Sequence, residues 1–244
     1  MIPIVVIPAR MRSTRLPGKP LAEIAGAPMI VHVWRRAVEA DVGPVVVACA
    51  EAEIAAVIEQ AGGRAVMTRA DHPSGSDRVF EAVQSLDPAG RHDVVVNLQG
   101  DLPLIAPAAI RASLAPLEDA SVDIATLAAV IDNDEDRRAE SVVKIAAAFA
   151  PSVRVARALY FSRRPVPWGE EPLYHHIGIY AWRRASLARF VALPESALER
   201  RERLEQLRAL EAGMRIDVAL VDTVPLGVDT PSDLARVRAL IAPP

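Results

Sequence analysis

Apolar residues run almost without interruption from Ile2 to Ile7, from Val45 to Cys49 and from Asp93 to Leu98, with a shorter run over residues 64–67. The three longer runs, rich in β-branched residues, predict buried strands, and 64–67 a short one. Between them the period becomes helical. Over Pro28 to Ala40 the apolar positions Met29, Ile30, Val33, Trp34 and Ala37 share one face, leaving Arg35, Arg36 and Glu39 to solvent. An Ala-rich helix follows from Glu51 to Ala61, stopped by Gly62-Gly63. Alternating strands and helices imply a parallel sheet covered on both faces.

The rhythm changes after about residue 120. Val122 to Val130, Val142 to Ala148 and His176 to Trp182 read as longer strands without regular intervening helices. Helices are predicted again at Ala185 to Leu193 and Glu202 to Ala212, then a strand at Met214 to Val221 and a closing helix at Ser232 to Ile241. Thr230-Pro231-Ser232-Asp233 supplies that last helix with a hydroxyl cap, an early proline and an acidic first turn. The expected fold is α/β: a mostly parallel, doubly wound sheet forming one domain over residues 1–244, with a mixed-sheet region inserted at approximately 121–183.

Composition narrows the function classes. The 244 residues are 51% hydrophobic and 24% charged with a net charge of −3, giving no electrostatic case for nucleic acid or an anionic membrane. The N-terminal apolar stretch is broken by Pro3 and Pro8 and runs into arginines, unlike a signal peptide, and a cytoplasmic location is expected. Cys49 is the single cysteine, which excludes an internal disulfide and a cysteine-based zinc cluster and reads as a core residue.

The basic residues matter locally. Pro8-Ala9-Arg10-Met11-Arg12-Ser13-Thr14-Arg15-Leu16-Pro17-Gly18-Lys19-Pro20 follows the first strand directly, where open α/β sheets bind ligands. With Gly18 as its only glycine, the loop must hold an anion through side chains: Arg grips two oxygens, and Lys acts as a point charge. A solvated basic loop is the plainer alternative. Asp71-His72-Pro73-Ser74-Gly75-Ser76-Asp77-Arg78 reads as a turn entering a helix, with Ser74 or Ser76 as a cap. Val96-Asn97-Leu98-Gln99-Gly100-Asp101 ends a strand in polar groups, and Gly227-Val228-Asp229-Thr230-Pro231 precedes the last helix. Asp101 and Asp229 are each either turn or capping residues or oxygen ligands of the kind Mg²⁺ prefers.

Together these strings resemble the 3-deoxy-manno-octulosonate cytidylyltransferases, the CMP-Kdo synthetases, which carry P-A-R-x-x-S-T-R-L-P-G-K-P, D-H-x-S-G-[ST]-[DE]-R, V-N-x-Q-G-D and G-V-D-T-P in this order. Further matches are His175-His176-Ile177-Gly178-Ile179-Tyr180 to R-H-L-G-I-Y, Leu204-Glu205-Gln206-Leu207-Arg208 to L-E-Q-L-R, and Tyr160-Phe161-Ser162-Arg163 to Y-F-S-R. The resemblance implies a nucleotide-diphospho-sugar transferase fold and a reaction in which the anomeric hydroxyl of Kdo attacks the α-phosphorus of CTP as pyrophosphate departs. It implies nucleotide binding by Ala9, Arg10, Ser13, Arg15, Lys19, Ser76 and Arg78, and sugar binding by Gln99, His176, Tyr180, Glu205 and Gln206. Arg10, Lys19, Asp101 and Asp229 become the catalytic set, with Asp101 and Asp229 holding Mg²⁺. A homodimer is implied, with the inserted region at the interface.

Three departures stand out. Leu102 replaces the glutamate of Q-G-D-E-P, Ala48-Cys49-Ala50 replaces A-T-D, and Asp134 to Glu140 reads differently from the family. They leave open transfer to another acid sugar, 8-amino-Kdo or a sialic acid, and a non-catalytic homologue that binds CTP or a nucleotide sugar.

Overall fold

The computed structural model describes residues 1–13, 15–170 and 172–241; Thr14 of the basic loop lies outside them. In chain order the elements are β1 (Pro3–Ala9), β2 (Glu23–Ile24), β3 (Ala27–Pro28), α1 (Met29–Ala40), β4 (Val45–Cys49), α2 (Ala52–Gln60), β5 (Arg64–Met67), α3 (Gly75–Leu86), β6 (Val94–Asn97) and α4 (Pro107–Ala112). There follow β7 (Ile124–Val130), α5 (Asp134–Arg138), β8 (Lys144–Ala146), β9 (Val155–Arg157), β10 (Tyr160–Ser162), β11 (Tyr174–Arg183), α6 (Arg184–Val191), α7 (Ala197–Glu202), α8 (Gln206–Glu211), β12 (Ile216–Leu220) and α9 (Pro231–Ile241).

The chain divides into two compact units, Met1–Ile110 with Pro225–Pro244, and Arg111–Val224. The region expected as an insert at 121–183 lies inside the second unit, whose edges extend beyond it on both sides.

In the first unit β5, β4, β1 and β6 pair in that order, all parallel. Strand order therefore grows outward from β1 to β5 and then jumps to the other side of β1. Right-handed crossovers running in opposite directions put α1 and α2 on one face and α3 on the other. The crevice beyond the carboxyl ends of β1 and β6 is the switch point where such sheets bind ligands. α1 buries Met29, Ile30, Val33 and Ala37 of the face its periodicity predicts, together with Val31 and Ala40, while Trp34, expected on that face, is only half-buried. The C-terminal segment is fastened here too: Val228, Leu234 and Val237 are buried against Ile24 and Met29. Apolar burial of this kind, about 1.5–3 kcal/mol per large side chain, fixes residues 227–231 beside the N-terminal loop.

In the second unit β7 runs parallel to β12 and antiparallel to β11, while β9 pairs antiparallel with β12. β8 pairs antiparallel with both β11 and β10. This is the mixed sheet the sequence predicts, with differences in detail. The run read as Val142 to Ala148 forms only the three-residue β8, β9 and β10 are additional, and the five-residue α5 intervenes, capped by the Asn133 side chain. The helix expected over Glu202 to Ala212 is two helices. Arg203 adopts φ 56° and ends α7, and Leu204 turns inward before α8 begins. The capping box of Ser196 and Glu199, and the Glu199–Arg208 ion pair, hold α7 to α8 across that break. Among the described residues no helix is long and apolar enough to cross a membrane.

Candidate active site

The carboxyl end of β1 opens into a cavity of about 380 Å³, within the range of small-molecule sites. Its lining comes from four segments of the first unit: the basic loop, the α3 entry, the β6 exit and the α9 entry. Each is shaped by short-range contacts. The basic loop closes on itself through Gly18 N donating to Met11 O (3.2 Å), and the Ser13 hydroxyl accepts from Leu16 N (3.3 Å). Gly18 has φ 70°, the left-handed turn that aims Lys19 inward. At the β6 exit a Cβ on Gly100 would stand 2.9 Å from Pro8 O, so only glycine lets this loop pass β1.

Lys19, Asp101 and Asp229 converge inside the cavity. The Lys19 ammonium donates to Asp101 Oδ2 at 2.8 Å and to Asp229 Oδ1 at 3.1 Å, and Arg15 pairs with the other Asp229 oxygen at 3.0 Å. Burial alone would lower the Lys19 pKa, but the charges and hydrogen bonds of Asp101 and then Asp229 carry it above its ordinary value. Neither carboxylate is consumed by helix capping. At α9 that work falls to Thr230, whose hydroxyl accepts from Asp233 N, and to Asp233, whose carboxylate accepts from Asp229 N and Thr230 N. Val228 N donates to Asp101 O at 2.9 Å, tying the two acidic segments together through the backbone.

The α3 side supplies the other wall. Ser74 caps α3, accepting from Ser76 N (3.1 Å) and Asp77 N (3.3 Å). Arg78 is buried and donates to the Thr68 hydroxyl. Burial pushes its pKa down, Glu51 opposes this, and Arg10 nearby adds like-charge repulsion. Two guanidinium groups that repel each other are better satisfied with an anion between them. Glu51 also accepts from Met11 N at 3.1 Å, so a carboxylate stands by the basic loop although the A-T-D aspartate is absent.

Of the residues proposed from sequence, Ala9, Arg10, Ser13, Arg15, Lys19, Arg78, Gln99, Asp101 and Asp229 line this cavity. Ser76 does not; it is buried in the first turn of α3, and Ser74, Gly75 and His72 form the wall instead. The clue to Ser74 lay in its preceding the helix, since an N-cap side chain faces out at the helix mouth. Leu102 is buried beside Gly227, a packing residue rather than a vacant ligand position.

His176, Tyr180, Glu205 and Gln206 belong to the second unit. His176 lies between Phe161 and Tyr180, with ring centroids 5.0 and 5.5 Å away. The Thr126 hydroxyl directs its one proton to the Ile179 and Ile177 carbonyls, so it accepts from His176 Nε2–H at 3.0 Å. That contact fixes the tautomer and leaves His176 Nδ1 as an acceptor. His176 keeps some surface exposure, yet its depth pushes the pKa down to about 3, with His175 adding to the effect. Burial and then Glu205 hold the Tyr180 pKa well above its ordinary value, so its phenol stays protonated. Gln206 is buried, and among the described residues its Nε2 has no hydrogen-bond partner; Trp182 Nε1 is a second buried donor without one among them. The fixed tautomer, protonated phenol and unpaired amide suit a hydroxylated, uncharged portion of a ligand.

Among the described residues no group of three or more His, Cys, Asp or Glu side chains is placed to hold a metal. The donor set at Asp101 and Asp229 nevertheless fits Mg²⁺, which is commonly bound by one or two carboxylates plus substrate phosphates. Both carboxylates already direct an oxygen at one positive charge, the Lys19 ammonium.

Comparison with known proteins places the whole chain. Residues 4–216 match the cytidylyltransferase family model. The chain is 64% identical over 241 residues to the 3-deoxy-manno-octulosonate cytidylyltransferase of Paramagnetospirillum magneticum, covering 99% of this chain and 98% of that one. It is 65% identical to the protein of the same name from Rhodospirillum centenum, covering 99% and 94%. A solved structure of CMP:2-keto-3-deoxy-manno-octonic acid synthetase complexed with CTP superimposes with a TM-score of 0.90 at 40% identity, covering 99% of this chain and 98% of that one.

Proposed function

The chain belongs to the 3-deoxy-manno-octulosonate cytidylyltransferase family, and from that premise we propose that it transfers CMP from CTP to Kdo, forming CMP-Kdo and pyrophosphate for lipopolysaccharide precursor synthesis. The observation that carries this reading is the convergence of Lys19, Arg15, Asp101 and Asp229 in one cavity beyond β1.

The anomeric 2-hydroxyl oxygen of Kdo forms a bond to the α-phosphorus of CTP while the opposite bond, from that phosphorus to the bridging oxygen, breaks; pyrophosphate leaves with the electron pair and the hydroxyl proton passes to water. Positioning and charge neutralisation supply most of the catalysis in phosphoryl chemistry. Arg10, Arg15 and Lys19 hold the triphosphate, with Lys19 placed for the leaving pyrophosphate. His72, Ser74 and the backbone near Ala9 bound the nucleoside end. In the second unit, His176 Nδ1 accepts from a sugar hydroxyl, while Tyr180 and Gln206 donate to others. Glu205 and Gln99 complete the proposed sugar contacts. Asp101 and Asp229 would hold Mg²⁺, which when bound offsets phosphate charge and makes a coordinated hydroxyl more acidic. We further propose a homodimer, on the family resemblance, and a cytoplasmic location, where CTP is available.

The test is pyrophosphate release from CTP and purified Kdo with and without Mg²⁺, with the organic product identified by mass spectrometry. Metal- and sugar-dependent release with CMP-Kdo as product is expected. Folded protein that binds CTP without turning over Kdo would redirect the search to other acid sugars, and failure of those would favour a nucleotide sensor.

A further inference from the structure

We propose that Lys19 is an internal placeholder for the divalent cation: its ammonium occupies the metal-facing position between Asp101 and Asp229 until nucleotide phosphates draw it away. The inference rests on reading Asp101 and Asp229 as the metal-holding pair. It concerns the order in which that site is assembled.

Charge balance supplies the first argument. Lys19 and Arg15 set two positive charges directly against the two negative charges of Asp101 and Asp229. A divalent ion arriving alone meets a neutral cluster. It must also displace a tethered competitor, whose effective concentration at the carboxylates is in the millimolar range or above.

Geometry supplies the second. Lys19 is the least exposed member, with 15% of its side chain accessible against 30% for Asp101 and 50% for Asp229. It is therefore the best shielded from water of the three and touches one oxygen of each carboxylate. Leaving them without a replacement partner would strand a partly buried ammonium. A triphosphate provides that partner. Its oxygens receive Lys19 and Arg15, and the same exchange uncovers Asp101 and Asp229 for the metal. Nucleotide and metal consequently assist each other's binding through the protein, in addition to any direct contact between them, and the coupling is reciprocal.

The test is Mn²⁺ binding to the nucleotide-free protein, followed by the electron paramagnetic resonance of free Mn²⁺. Wild type should bind weakly, and Lys19→Met should bind about tenfold more tightly, as expected when a tethered and only partly screened competitor is removed. Adding Asp101→Asn to Lys19→Met should erase the gain. Arg15→Gln, at an exposed loop position, should give a smaller gain of about threefold and keeps the test available should Lys19→Met fold poorly. If both variants fold and bind Mn²⁺ no more tightly than wild type, while CTP still recruits Mn²⁺ in an Asp229-dependent way, the placeholder is overturned and the metal site survives. If no protein-dependent Mn²⁺ binding appears even with CTP, the metal assignment itself falls, and the placeholder with it.

Discussion

The ionic cavity of the first unit and the aromatic cluster of the second answer opposite physical problems. Around Lys19 the groups are ionic, partly exposed and paired with one another, so charge is stored in contacts that a charged ligand can exchange. Around His176 the groups are neutral, deep and locked by ring packing and by Thr126, so selectivity comes from fixed donors and acceptors. A highly charged triphosphate demands the first solution, because its charge must be met at every stage of binding. A polyhydroxylated sugar suits the second, because unmatched buried polar groups penalise the wrong partner.

The sharpest way to break this contrast is at the ionic cluster. Asp101→Asn is expected to lower kcat by about 10² to 10³, the usual loss when one preorganised electrostatic partner of a transition state is removed, with circular dichroism unchanged. Asp229→Asn should behave alike. Wild-type rates in both variants at limiting Mg²⁺ would remove these carboxylates from the chemistry.

The neutral cluster makes its prediction in stability. The folded His176 pKa of about 3 lies below the ordinary value of 6.5, so between them the unfolded chain carries a proton that the folded chain refuses. Stability contributed by this site is therefore full above the unfolded value and falls as pH drops through it. Between pH 7.5 and 5.5 wild type should lose about 1.4 kcal/mol that His176→Gln does not, and the figure holds for any folded pKa below about 5. Urea denaturation at the two pH values measures it. An identical pH dependence in both proteins would mean that His176 charges freely and that the cluster is not held neutral.

Ser74 both caps α3 and lines the cavity of the ionic region. Ser74→Ala should cost about 1 kcal/mol through the lost α3 cap and raise the KM for CTP, since the same residue lines the cavity. A stability loss with an unchanged KM would confine it to capping.

The sequence made the first unit more legible than the second, and for a physical reason. Three of its parallel strands, β1, β4 and β6, are largely buried and read as continuous apolar runs, whereas the edge strand β5 is short and partly exposed, and the charged and polar loops after β1 and β6 stand out against those runs. Asp101 and Asp229 stand about half a chain apart in sequence, and only the resemblance paired them before the fold brought both to Lys19. The second unit uses three-residue strands, too short for periodicity, and an Arg203 in a left-handed conformation that composition does not announce. Leu102 could be flagged only as a lost charge; its burial against Gly227 was invisible without the fold.

Cys49 gives the smallest effect and the cleanest control, because it sits at the end of β4, in register with Ala9 of the cavity wall but outside the cavity lining itself. Its thiol is fully buried, 4.0 Å from the Met67 sulfur, and burial followed by Glu51 pushes its pKa up to about 11. At pH 7.5 only about one thiol in three thousand is then ionised, so the folded protein should resist thiol reagents and react quickly once denatured. Cys49→Ser replaces a small apolar group with a hydroxyl in the same space, costing about 1 kcal/mol of stability and leaving kcat within about twofold. Rapid labelling of native protein, or a catalytic loss in a Cys49→Ser protein of normal stability, would place the thiol among the working groups and extend the ionic region through β4 into the core.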